Sequence, residues 1–283
     1  MARNISGVMA DATPRHWWEH VSWEASTAGA AASACLTCVL LFLPGRVSGQ
    51  AAPAGPDQIT YAQEPIAGGA SELRKRFTPP QLALLEKLNR RDVAHLARAR
   101  TLIVPSRWDL DELAYSPLPA EYAPGTALPK LLVVHQPTQV FGAYEHGRLV
   151  RWGPVCTGRR SMPTPPGLFH LNWRSMGRHS TVDPEWYMPW YFNFENRRGL
   201  SMHEYVLPGR PESHECVRLL QRDARWVFDW GEEWEVSADR RRVLRNGTPL
   251  FIDGRYAFDA PAPWTVPERA AERVQLGPLP ESM

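Results

Sequence analysis

The 283-residue chain carries 32 basic and 30 acidic side chains, a formal net charge of +2, and 43% hydrophobic residues. That balance excludes the strongly basic nucleic-acid binders, and no basic stripe with interleaved aromatics runs through it. The length suits one large domain with a smaller module, and 27 prolines call for many loops and a β-rich architecture.

Residues 1–55 read as a signal or anchor segment. Trp17, Trp18 and Trp23 sit in a polar stretch without periodicity, and Ala28 to Leu43 is apolar. Small residues follow from Gly45 to Gly55, where Gln50-Ala51 or a neighbour suits signal cleavage. Two outcomes stay open: removal, with a mature start between Ser48 and Ala54, or retention as an anchor, which would be the chain's only membrane contact. Either places the protein in the cell envelope, periplasmic or secreted. Cys35 and Cys38 lie inside the apolar stretch without the leucine at minus three of a lipoprotein signal. Once a leader is removed, Cys156 and Cys216 remain, both expected as free thiols.

Residues 56–108 form a separate pattern. Thr78 before Pro79-Pro80 signals a helix N-cap, Leu82, Leu85 and Leu88 follow at helical spacing, and Thr101 to Pro105 reads as a strand. The order weakly resembles a lysin-motif glycan-binding unit, and a helical prodomain fits equally. Residues 109–129, with Pro117, Pro119, Pro124 and Gly125, read as a linker.

From Lys130 the period changes to two. Strands are predicted at Leu131 to Val134, on both sides of a His146-Gly147 turn, and at Gly167 to Trp173. His135, His146, His170 and His179 are scattered without metal-ligand spacing, so neither a metal nor another cofactor is expected. Pro184 to Phe194 is a dense aromatic run, of the kind that usually fills a core. Then Ser201 to Asp223 places Cys216 two residues after His214 and thirteen after His203. A thiol needs a nearby imidazole to ionise at neutral pH, and two candidate bases stand on one excursion of the chain. Leu220, Ala224, Val227 and Phe228 then recur at helical spacing. A helix starting a few residues after Cys216 would aim its positive end at the sulfur. Residues 257–283 are proline-rich and read as a disordered tail.

Ser213-His214-Glu215-Cys216-Val217-Arg218-Leu219 resembles the S-H-G-C-[IV]-[RN]-[LM] motif of the L,D-transpeptidases, the YkuD-type catalytic domain. Val155-Cys156-Thr157-Gly158 with Pro163-Thr164-Pro165-Pro166-Gly167 resembles the family's V-S-T-G…T-P-T-P-x-G stretch. Gly247 to Ile252 resembles its final G-T-P-V-x-[IV] strand, and the likeness runs from about Pro129 to Gly254, with the catalytic domain expected at 130–256. The resemblance implies a mostly β fold with a few helices, a β-sandwich catalytic domain, and the pattern at 56–108 puts a small α+β or helical module before it. It implies Cys216 as nucleophile, His203 as base, and an oxyanion and substrate site drawn from Ser213, His214, Glu215, Arg218 and Trp190. Arg218 would face a substrate carboxylate or a structural acid. The implied activity is cross-linking of peptidoglycan stem peptides in wall biogenesis, with an amine of another stem or of an envelope lipoprotein as acceptor. Water as acceptor would make an L,D-carboxypeptidase, and a spoiled site would leave a wall-binding protein. Glu215 stands where the family has glycine, and Glu204 follows the first histidine where glycine or serine is usual.

Overall fold

The computed structural model describes residues 59–66, 68–181 and 183–280. The signal or anchor segment expected at 1–55 lies outside the described residues. Among those described, no helix is long and apolar enough to cross a membrane.

The amino-terminal part runs β1 (Tyr61–Pro65), α1 (Gly69–Arg76), α2 (Pro79–Asn89), α3 (Val93–Leu96) and β2 (Thr101–Pro105). Strands β1 and β2 pair antiparallel. Helix α2 starts where its sequence says: the Thr78 backbone N–H donates to Gln81 Oε1 at 2.9 Å, the Gln81 N–H donates back to the Thr78 hydroxyl, and prolines fill the first two positions. Leu73, Phe77, Leu85, Leu96, Leu102 and Val104 form a small core.

This part is fused to the strands after it. Leu84 and Leu88 of α2 join a core shared with Leu131, Val133, Tyr144 and Trp152. Lys87, only 1% exposed, donates to the Trp152 carbonyl at 2.7 Å and pairs with Glu112. Residues 59–280 therefore pack as one unit, and the stretch expected as a linker is part of it. Tyr115, Leu118 and Tyr122 are buried, and the N–H groups of Tyr122 and Leu149 bond to the carbonyls of Gly147 and Ala120.

The main sheet is built from β3 (Leu131–His135), β4 (Val140–Glu145), β5 (Arg148–Cys156), β6 (Gly167–His170), β7 (Arg174–His179), β8 (Tyr187–Glu195), β9 (Leu200–Glu204) and β10 (Val217–Leu219). Helix α4 (Gln221–Trp230), a short hairpin of β11 (Glu235–Val236) and β12 (Val243–Arg245), then β13 (Pro249–Asp253) and α5 (Pro267–Ala270) complete the chain. Nine strands lie in the order β6-β13-β3-β4-β5-β10-β9-β8-β7. The sheet curls: Phe169 on β6 meets Phe194 on β8 edge-to-face at 5.3 Å, although the two strands are far apart in that order. Inside the curl, Leu132, Val134, Phe192, Met202, Val217, Leu219, Leu250 and Ile252 pack with Ala224 and Val227 of α4. Leu131 and Val133 face the second core on the outside. Both faces of β3 are covered, which is why it reads as an unbroken apolar run rather than an alternating one. His146 and Gly147, at φ 47° and 77°, make the tight turn between β4 and β5.

The tail expected to be disordered is instead laid along the surface. Trp264 is buried, Val274, Leu276 and Leu279 pack on the outer core, and Tyr122 donates its hydroxyl to the Gly277 carbonyl at 2.7 Å. Arg273 donates to the carbonyls of Ser116 and Ala114. Anchors spaced this widely leave no periodicity, and proline content alone suggested disorder.

Candidate active site

Strands β9 and β10 run parallel, with Met202 opposite Val217 and His203 opposite Arg218. Met202 and Val217 point into the core, so period-two alternation sends Ser201, His203, Cys216 and Arg218 to the other face. On β8, Asn193 pairs with Ser201, which adds Tyr191 and Asn193 to that face. On β5, Cys156 pairs with Arg218. Residues far apart in sequence thus converge because four strands, β5, β10, β9 and β8, hold one register.

The Cys216 sulfur lies 3.5 Å from the Ser201 hydroxyl, which also bonds to Tyr191. His203 is 4% exposed, and its Nδ1 lies 2.9 Å from the Glu204 carbonyl. A carbonyl only accepts, so Nδ1 carries the proton and Nε2 keeps its lone pair. Burial pushes the His203 imidazole down to about 4, and the Arg218 charge adds to this against the Glu204 carbonyl. Burial raises the Cys216 thiol, the Glu215 charge adds to it, and Ser201 and Arg218 oppose. Thiol and imidazole are therefore both neutral at rest. Helix α4 does not relieve this. Strand β10 intervenes, and its three residues at ~3.3 Å each carry the helix start about 10 Å onward.

The two upstream motifs brace the segment before the sulfur. Ser213 pairs with Gly158, its N–H bonding to the Thr157 carbonyl at 3.0 Å. The Thr164 hydroxyl accepts from the Gly158 N–H and donates to the Glu215 carbonyl at 2.7 Å. A Cβ at Gly158 would stand 2.1 Å from the Met162 carbonyl, so glycine is required there. That same Met162 carbonyl accepts the Glu215 N–H at 3.2 Å. The N–H of Glu215, a residue the resemblance implied for the oxyanion and substrate site, thus already has a backbone partner.

Glu215 itself adopts φ 69°, the left-handed conformation that explains why glycine suits this position. Its carboxylate pairs with Arg198 at 2.8 Å. Glu215→Gly should remove a backbone cost of about 1 kcal/mol and lose a half-exposed ion pair worth ~0–1 kcal/mol. Urea unfolding should find the glycine form at least as stable as the parent. Glu215→Ala keeps the strain and loses the pair, so it should be the least stable of the three.

The remaining expected residues divide. The His214 ring lies 4.7 Å from that of Trp186, at the tip between β7 and β8, and its buried Nδ1 has no partner. Arg218 lies over the Tyr205 ring at 4.6 Å and makes no ion pair among the described residues, so the structural acid expected for it is not there. Trp190 does not join the site: it packs against α4, 5.5 Å from the Phe228 ring. The aromatic run reaches the site through Trp186 instead. Ser201 and Tyr191 were missed, and only period-two counting from His203 could have suggested Ser201. Among the described residues, no group of His, Cys, Asp or Glu side chains could hold a metal ion.

The segment between His203 and Cys216 is gripped from the amino-terminal part. Asp92 caps α3, and its carboxylate also accepts the Leu207 N–H at 2.8 Å, while the Asp92 N–H donates to the Leu207 carbonyl. Asp92→Ala should cost about 2 kcal/mol, a lost cap plus an orphaned buried donor. Thermal unfolding checks the cost, and acylation of Cys216 should slow severalfold because its segment loosens.

Residues 129–252 match the family model of the YkuD-type L,D-transpeptidase catalytic domain, and this part of the chain is such a domain. Among solved structures, an L,D-transpeptidase from Stackebrandtia nassauensis is 22% identical, with 45% of this chain and 57% of that one covered at a TM-score of 0.37. One from Mycobacterium smegmatis is 18% identical over 44% of this chain and 59% of that one, TM-score 0.36. One from Mycobacterium tuberculosis H37Rv is 18% identical over 56% and 74%, TM-score 0.34. The chain thus spans less than two thirds of the length of the first two. A search of curated proteins returned no match.

Proposed function

We propose that the protein is a peptidoglycan L,D-transpeptidase acting in the cell envelope through Cys216 and His203. The observation that carries this reading is the β9–β10 register, which puts both side chains on one face with the His203 proton parked on Nδ1. His203 Nε2 takes the thiol proton as sulfur attacks the carbonyl between the diamino acid's L-centre and the terminal D-alanine. Concerted transfer suits a pair that rests neutral. The tetrahedral oxyanion falls to the Cys216 N–H, a contribution of roughly 3–4 kcal/mol where such donors have been removed elsewhere. The C–N bond breaks, His203 returns the proton to the leaving amine, and a thioester remains. An amine of a neighbouring stem, or of an envelope lipoprotein, then gives its proton to His203, attacks the thioester and releases sulfur. Water in that step would make the protein an L,D-carboxypeptidase. Arg218, which makes no ion pair among the described residues and shares the face of Cys216, suits the carboxylate of the stem.

A second reading draws on one observation: the Glu215 N–H is occupied, which weakens the oxyanion site and would suit a wall-binding protein without turnover. Mass spectrometry after incubation with a carbapenem separates the two. A covalent adduct on Cys216 supports the enzyme, and an unmodified protein supports the binder. If the adduct forms, Glu215→Gly should change its rate by less than about tenfold, roughly 1.4 kcal/mol. A gain of a hundredfold would mark Glu215 as a brake.

A further inference from the structure

The amino-terminal part holds a second site away from the cysteine. A cleft of about 440 Å³ opens between α3, β2 and the segment joining His203 to Cys216, lined by Arg91, His95, Arg98, Arg100, Thr101 and Pro208 among others. This is within the size range of small-ligand sites. Three guanidiniums and an imidazole line it, and no carboxylate does. Asp92, next to Arg91 in the chain, is already engaged by the His95 ring at 2.9 Å and by two backbone N–H groups. Arg91 spends its Nε on the Pro208 carbonyl at 3.3 Å. Arg98 and Arg100 are exposed and make no ion pair among the described residues, whereas many other arginines of the chain find a carboxylate.

Like charges gathered in a concave site repel one another, and the arrangement persists at lower free energy when a counter-charge fills it. Arginine forks bind planar or tetrahedral oxyanions in pairs, which suits a ligand with more than one negative charge. We propose that this cleft binds a polyvalent oxyanion, the phosphate or clustered carboxylate groups of a small ligand. The four basic side chains, Arg91 to Arg100, lie outside the family match, and Pro208 alone of the named lining residues lies within it, so the proposal does not rest on the transpeptidase reading. Its occupant would rest against Pro208, on the segment joining His203 to Cys216.

Isothermal titration calorimetry of the full chain at 0.15 M salt tests this with two probes, pyrophosphate and tricarballylate. Saturable binding of at least one is expected, and Arg98→Gln/Arg100→Gln should weaken it tenfold or more. Both side chains are exposed, so the fold should survive, which circular dichroism verifies. Tighter pyrophosphate binding points to a phosphate ester, and tighter tricarballylate binding to carboxylates. Arg240→Gln/Arg241→Gln removes the same charge from the exposed tip between β11 and β12 and should leave binding unchanged. No binding of either probe, or equal weakening in the two double variants, overturns the proposal.

Discussion

Replacing Cys216 by alanine is expected to abolish carbapenem adduct formation and to lower release of D-alanine by on the order of 10⁴–10⁶, the scale seen when a covalent nucleophile is removed. Cys156→Ala should leave the adduct in place. The Cys156 sulfur is buried, 3.3 Å from the Arg210 carbonyl and 3.2 Å from the Glu212 N–H that it accepts, so it serves to fix that loop. The cost of its loss is stability rather than chemistry. Turnover retained in Cys216→Ala and lost in Cys156→Ala would reverse the assignment. Because burial raises the Cys216 thiol, the adduct rate should keep climbing with pH through the ordinary thiol range near ~8.5. A plateau already reached below pH 7 would mean an ion pair at rest, against the neutral pair inferred from the burial of both groups.

The motif residues of this site were legible because chemistry and strand period constrain them together. Cys216 and His203 stand out by type on one short excursion of the chain, whereas the parallel pairing of β9 and β10 that puts them on one face is a long-range feature. The strand at Leu131 and the capped helix at Thr78 are likewise local, each following from neighbouring residues. What escaped the sequence depends on partners distant along the chain. Nothing near Glu215 tells that Arg198 will reach its carboxylate or that Met162 will take its N–H. The helical spacing after Cys216 begins in earnest at Gln221. The first three residues, Val217 to Leu219, are claimed by pairing with β5 and β9, and that tertiary demand overrides helical period. Trp190 and Trp186 sit four residues apart in one aromatic run. Trp190 takes a positive φ of 52° and packs on α4, and that turn is invisible in composition. The supposed linker and tail were misread for a related reason: prolines mark irregular backbone, and irregular backbone can be fully packed.

His203 is expected to show two separable effects when replaced. His203→Ala should lower the acylation rate by about 10²–10⁴, the usual worth of a positioned acid–base group, while His214→Ala should cost less. His214 lies against Trp186 with an unpartnered Nδ1, so its loss acts on packing at the rim. The reverse order of rates would move the base to His214. The second effect is on stability. Burial holds the folded His203 near 4, whereas an exposed imidazole in the unfolded chain titrates near ~6.5. Between those values the unfolded chain binds a proton that the folded one refuses. Stability from this group is therefore full above ~6.5 and is lost as pH falls towards about 4, by roughly 3 kcal/mol in all. His203→Gln has nothing to titrate, so its urea midpoint should decline less steeply than the parent's between pH 7 and 4.5. Parallel declines in the two proteins would mean that His203 is protonated as readily when folded as when unfolded. The imidazole would then be solvated, and it could not serve as a base that stays neutral and ready at every pH above about 5.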